Sequence, residues 1–280
     1  MLKTRLTAWS LNGNRFLGKS PGEESPALTW LKSLSEPGAI VPDVLCLQDF
    51  RVSLLQHLRP LPHFYFAPTT NHLVWGKREL KGNLIASRYP IDDISVRYTW
   101  GNGIVKDLDG VGDDNERIKP DDKADRLVLS TEDCVAMAVS VCVPKRHGGG
   151  RWRFATHRGL WVRGGVTTPE QMQNTEQVCR FLVDDAYALG GLVYLADCSL
   201  DRNGEVFGRY NVHGADDCLP PDIKTTLADN HPAARLGAKP TRVMLFPGHQ
   251  GNGYEISGVH TDGSPGANHK MLCCTVSKLN

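Results

Sequence analysis

Five short stretches carry the residue types that chemistry needs. Ser10 and Asn12 close one strand-like run, Asp49 closes another in PDVLCLQD, and Thr156-His157 closes a third. Asp197 and Ser199 lie two apart at the end of LVYLADCSLD, and Asn268-His269 precedes the last apolar run. Carboxylates, amides, hydroxyls and imidazoles are ligands and catalysts. Strands that end on them bring distant residues to one rim of a sheet, the usual place for a site built from several segments. Side chains two apart in a strand share a face, so Asp197 and Ser199 point the same way. An ionised carboxylate at the mouth of a buried strand is costly unless it meets a cation or donors. Taken alone, Asp197 reads as a strand end whose Asp starts the turn at Asp201-Arg202-Asn203-Gly204.

Each of these ends needs an element behind it. Residues 2–11 alternate, with Leu6, Ala8 and Ser10 on one face, and the period of two carries Asn12 onto that face. Residues 26–35 read as a helix with Leu28, Leu31 and Leu34 inward, stopped by Pro37-Gly38. Residues 41–48 form a second buried strand, and a short helix over 52–58 follows. Strands are expected at 64–67, 72–75 and 82–87, and again at 127–130, 134–143 and 152–156. The clearest helix is capped by Thr168, takes Pro169 in its first turn, and turns Met172, Cys179, Leu182, Ala186 and Leu189 inward before Gly190-Gly191. The buried strand leading to Asp197 comes next. A short helix near 205–210 and strands near 241–246, 254–258 and 271–277 complete the pattern.

At 280 residues the chain can bury a large core, and with no internal repeat or low-complexity linker, residues 1–280 read as one domain. Its apolar fraction of 40% and charged fraction of 22% are those of an ordinary soluble protein. A net charge of +1 supplies no global field to draw it to nucleic acid or an anionic membrane. Residues 101–126, acidic and without periodicity, are expected as a flexible acidic loop or lid. Their DLDG lacks the ligand spacing and closing Glu of a calcium loop. None of the eight cysteines forms a C-x-x-C pair, a pattern that suits buried reduced thiols. Cys198 alternates away from the Asp197 face and reads as core, not nucleophile. His57, His63, His72, His213 and His231 read as loop or surface residues. With neither a signal peptide nor a membrane-spanning run in the pattern, a soluble cytoplasmic protein without membrane contact is the expectation.

The order and spacing of these blocks resemble the endonuclease/exonuclease/phosphatase superfamily. LTAWSLNGN resembles its opening strand "TWNVNG", PDVLCLQDF its "PDILCLQE", and GNLIASRYPI a segment ending in "SRYPI". FATHRGLWVRGGVTTPEQ resembles its "TH" strand and following helix. LVYLADCSLDRNGEVF stands where "ILAGDFNLPRGGEVF" is expected, and GANHKMLCC where "SDH" leads into the last strand. The likeness covers nearly the whole chain. It implies a deoxyribonuclease-I-like, four-layer α/β sandwich: two packed, mostly antiparallel β-sheets flanked by helices. It also implies Mg²⁺- or Mn²⁺-dependent hydrolysis of phosphate esters, because a bound metal neutralises a phosphoryl oxygen and helps generate the nucleophile.

Carried onto this sequence, the resemblance makes Asp197, His157 and His269 catalytic, Asn12 and Ser199 substrate-binding, and Ser10, Asp49 and Asn268 metal-side residues. Four of these depart from the pattern. Ser10 replaces an Asn, Asp49 a Glu, Ser199 an Asn, and Asn268 an Asp. The acid that orients the histidine in the family falls at Val243. Mg²⁺ demands near-octahedral oxygen ligation, so a carboxylate shorter by one methylene fits it poorly. Losing the acid behind a histidine leaves its tautomer unset.

Two readings follow. In one, the chain is a slow metal-dependent nuclease or phosphodiesterase acting on short nucleic acid, a nucleotide or a small phosphodiester, with cations such as Arg158 or Lys270 holding phosphates. In the other, catalysis is lost, no cofactor is needed, and the sandwich is a pseudoenzyme that binds or assembles with a protein partner.

Overall fold

In a computed structural model, the described residues are 5–13, 16, 22–74, 76–108, 133–147, 149–160, 167–199, 201, 204–229, 231–251, 253–262 and 269–279. The first half contributes β1 (Arg5–Asn12), α1 (Pro26–Ser33), β2 (Val44–Arg51), β3 (His63–Val74), β4 (Lys77–Ser87), β5 (Ile91–Trp100) and β6 (Lys106–Leu108). The second contributes β7 (Cys134–Val143), β8 (Gly150–His157), α2 (Pro169–Leu189), β9 (Leu192–Asp197) and α3 (Glu205–Val212), then β10 (Asp216–Asp217), β11 (Thr241–Phe246), β12 (Tyr254–Asp262) and β13 (Met271–Lys278). One sheet has seven strands in the order β12-β13-β1-β2-β4-β3-β6, the other six in the order β10-β11-β9-β8-β7-β5. Most pairs are antiparallel. The parallel ones are β1 with β2, β3 with β6, and β8 with β9.

Three cores make four layers. Between the sheets, Leu6, Ala8, Cys46 and Ile85 meet Val139, Phe154, Val193, Leu195 and Val243. Outside the seven-stranded sheet, α1 buries Ala27 and Leu31 against Leu11, Leu45, Leu47 and Leu84. Burying a leucine of this kind is worth about 2 kcal/mol. The Ser25 hydroxyl starts that helix by accepting from the Leu28 amide at 3.1 Å. Outside the six-stranded sheet, α2 buries Val178, Cys179, Leu182 and Ala186 over Ala155, Tyr194 and Met244. Thr168 caps it and Gly190, at φ 81°, ends it in the left-handed conformation. Arg153 of β8 pins the same helix, its guanidinium donating to both oxygens of Asp185 at 2.6 Å.

Several elements differ from expectation for local reasons. Two short strands flanking a break are one continuous β3, because Pro68 falls where the β3–β4 register shifts and its missing N–H breaks no ladder bond. β5 escapes a reading by periodicity because it is a largely exposed edge strand, with charges that discourage further pairing. The stretch expected as a loop over 101–126 supplies the short edge strand β6. Residues 109–126 and the strand expected at 127–130 lie outside the described residues. His72, expected at the surface, is buried in β3, and Leu189, expected inward, is exposed beyond the sheet at the end of α2. Cys198 is buried with the α2 core, and all eight cysteines are free thiols. Among the described residues no helix is long and apolar enough to cross a membrane.

Candidate functional site

Two parallel strand pairs lead to one rim. β1 and β2 run together in one sheet, β8 and β9 in the other, and β1 faces β9 while β2 faces β8. Asn12, at the end of β1, donates its side-chain amide to Asp197 Oδ2 at the end of β9. The other Asp197 oxygen accepts the Ser199 backbone N–H at 2.8 Å, a side-chain turn that holds Ser199 in the left-handed region at φ 67°. His269 Nε2 lies 3.7 Å from Asp197 Oδ2. Burial holds the His269 imidazole below its usual pKa; Asp197 and Asp49 pull it up and Arg158 pushes it down. Its Nδ1 is 3.5 Å from the Thr241 hydroxyl, while Val243 is fully buried in the inter-sheet core. Gly159 allows β8 to reach this turn. A Cβ there would stand 2.6 Å from the Cys198 carbonyl carbon, and the Gly159 N–H donates to the Asp197 carbonyl at 2.6 Å.

Asp49 is placed by a β-bulge. The β2–β4 register slips between Leu47 and Phe50, so Gln48 and Asp49 together oppose Asn83. Asp49 takes the left-handed conformation, φ 55°, and Phe50 returns to the α1 side as core. The bulge turns the Asp49 carboxylate to the rim, where Lys81 Nζ of β4 lies 3.3 Å from one oxygen and Arg158 Nε 2.9 Å from the other. Asp49 and Lys81 are buried, and Arg158 is 19% exposed. This is a two-cation clasp on one carboxylate.

Ser10 belongs to a separate network one residue deeper. Gln48 donates to the Ser10 hydroxyl at 3.1 Å and to the Thr156 hydroxyl at 2.8 Å, and Thr156 donates onward to the Leu195 carbonyl at 2.7 Å. The chain of bonds crosses from one sheet to the other. His157 faces away from it. Side chains alternate along β8, so Thr156 and Arg158 look between the sheets while His157 packs with Ala136 and Tyr194 on the α2 side. Its Nδ1 lies 3.3 Å from the Tyr194 hydroxyl, which is 3.1 Å from that of Tyr210. Burial pushes the His157 imidazole down to about 3, Asp197 opposing, so the ring is neutral. Cys198 is pushed up to about 12 by burial and carries no thiolate.

No protein-family model matches the chain, and no curated protein does. Solved structures do. An endonuclease/exonuclease/phosphatase from Beutenbergia cavernae aligns with 99% of this chain and 72% of its own, at 14% identity and a TM-score of 0.63. A second, from Bacteroides vulgatus, aligns over 99% and 100% of the two chains, at 11% identity and 0.63. The fold is that of the endonuclease/exonuclease/phosphatase superfamily. D. rerio TDP2, solved with a single-strand DNA product, aligns with 98% of this chain and 99% of its own, at 12% identity and a TM-score of 0.61. Such identities establish the fold; the chemistry rests on the site.

Against the superfamily pattern, Asn12, Asp197, Ser199 and His269 are in direct contact or nearly so. Arg158, paired with Asp49, bridges the Asp197 backbone, Ser10 is tied to β2 and β8 through Gln48, and His157 lies on the opposite face of β8. Asn268 is outside the described residues. The divalent metal that the superfamily fold implies does not fit the described donors. Asp49 is already paired with two cations, the Ser10 hydroxyl already accepts from Gln48, and no group of three His, Cys, Asp or Glu among the described residues could hold a metal. Sequence reading missed Lys81 and Gln48. For Arg158 the signal was present, since the period that puts Thr156 on the inter-sheet face puts Arg158 there too.

Proposed function

We propose that this chain is a phosphoester-hydrolase scaffold whose metal-dependent turnover is lost, kept as a binding or assembly module. The observation that carries this reading is the clasp of Lys81 and Arg158 on Asp49. Two fixed cations satisfy the carboxylate that the resemblance assigns to the metal. The replacements at Ser10, Ser199 and Val243 point the same way. Purified protein incubated with Mg²⁺ or Mn²⁺ and single-stranded DNA, duplex DNA or a simple phosphodiester is expected to turn over no faster than an Asp197→Asn control. Metal-dependent turnover that the control abolishes would overturn the reading.

One observation favours the alternative, a slow Mg²⁺- or Mn²⁺-dependent nuclease or phosphodiesterase. Asn12, Asp197 and His269 stand in one contact group, which is what a water-activating acid and its partners require. In that case the substrate is short: a single-stranded end, a nucleotide or a small phosphodiester. The single-strand DNA product bound by the D. rerio neighbour and the near-zero net charge of this chain support that class. The same assay separates the two readings.

A further inference from the structure

We infer that Lys81 and Arg158 stand in for the divalent cation at this rim, so that the protein's own ammonium and guanidinium exclude Mg²⁺ and Mn²⁺ from Asp49. The inference deepens the reading of lost metal-dependent turnover and can fail independently of it. Lys81 is buried in the interior strand β4, and strand alternation puts its side chain on the inter-sheet face with Asn83 and Ile85. A lysine in that position costs desolvation unless a carboxylate meets it, and Asp49 does so at 3.3 Å. Arg158 closes the other oxygen at 2.9 Å from the opposite sheet. The clasp therefore spans both halves of the sandwich. The bulge and the left-handed backbone at Asp49 are what turn the short side chain to both cations.

A divalent ion beside Asp49 would sit next to two fixed positive charges with one carboxylate already shared between them. Like charges at that spacing repel strongly in a partly dry site. At least one of the two cations must leave before a metal can enter. On this account Asp49→Glu alone creates no metal site, because the longer carboxylate still meets Lys81 and Arg158.

The test measures metal binding, not activity. Mn²⁺ is titrated into the full chain and followed by electron paramagnetic resonance, with thermal unfolding at each concentration. Wild type is expected to bind no Mn²⁺ through Asp49 and to keep its Tm unchanged up to about 10 mM. Lys81→Met/Arg158→Gln leaves Asp49 uncompensated, and its Tm is expected to rise by about 5 °C once Mn²⁺ reaches some hundred-fold excess over Kd. Adding Asp49→Asn should remove that rise. Should the double variant not fold, Arg158→Gln alone, altered at the partly exposed end of the clasp, carries the same expectation with a smaller rise. Asp49-dependent Mn²⁺ binding by wild type, or a folded cation-deleted variant that ignores Mn²⁺, would overturn the inference. Metal-dependent turnover without Asp49-dependent Mn²⁺ binding would instead defeat the functional reading and leave this one standing.

Discussion

His157 and Arg158 are neighbours in sequence and belong to different surfaces of the protein. The strand alternation gives Arg158 to the rim and His157 to the dry layer beneath α2. That burial has a pH consequence. A folded-state imidazole held near 3 stays neutral while the unfolded chain takes up a proton below about 6.5. Stability is therefore intact above 6.5 and falls with pH between 6.5 and 3, by about 1.4 kcal/mol per pH unit for this one group. His269, also lowered by burial, adds in the same direction. Urea unfolding from pH 6.5 to 4 should show the slope, and His157→Asn, whose carbonyl can take the Tyr194 hydroxyl in place of Nδ1, should flatten it by about 1 kcal/mol per unit. An unchanged slope would mean that the ring is not held neutral.

At the scale of elements, two devices fix the framework around the rim. One is the bulge in β2, which converts a strand residue into a side chain aimed between the sheets. The other is the anchor of α2. Arg153 is buried and gives two parallel hydrogen bonds to Asp185, with a further one to Ser95 of β5 at 2.7 Å. Replacing a buried pair by apolar groups can be neutral, but removing one partner strands the other charge. Asp185→Ala should therefore cost about 3–5 kcal/mol in chemical denaturation, whereas Asp184→Ala, at a mostly exposed neighbour 3.8 Å from Arg97, should cost under about 1 kcal/mol. Equal costs would show that the anchor has no special weight.

For the whole molecule, the sandwich puts the chemistry-bearing strand ends at one edge and surrounds them with paired charges. Lys270 meets Asp229, Arg51 meets Glu79, and Arg242 meets Asp217, so the cations described near the rim are largely matched by carboxylates. With a net charge of +1 there is no long-range field to gather a polyanion. Fluorescence anisotropy with a 20-base-pair duplex at about 0.15 M salt should give a Kd no tighter than about 10⁻⁴ M, the weak end of non-specific binding. A Kd near 10⁻⁶ M would require a basic surface that the pairing pattern does not provide.

Local signals in the sequence by themselves determined which segments are strands and helices and in what order, while the four layers entered only through the resemblance. Apolar alternation, the Thr168-Pro169 start and the Gly190-Gly191 stop are local signals, and nearly every strand they predict is present within a few residues of its place. That Asn12, Asp197 and His269 share a site was an expectation of the resemblance, not of periodicity, and the contacts between them are a finding of the tertiary structure. The tertiary structure alone decided what Asp49 does there. Lys81 sits mid-strand in KRELKGNLIAS, where a lysine reads as one more surface charge, and Gln48 reads as one more buried position. Only the bulge in β2 and the facing of β8 across the sandwich bring a lysine, an arginine and a glutamine from three strands to the residues a metal was expected to need. Periodicity reports which face a side chain takes; it carries no information about which charge waits opposite.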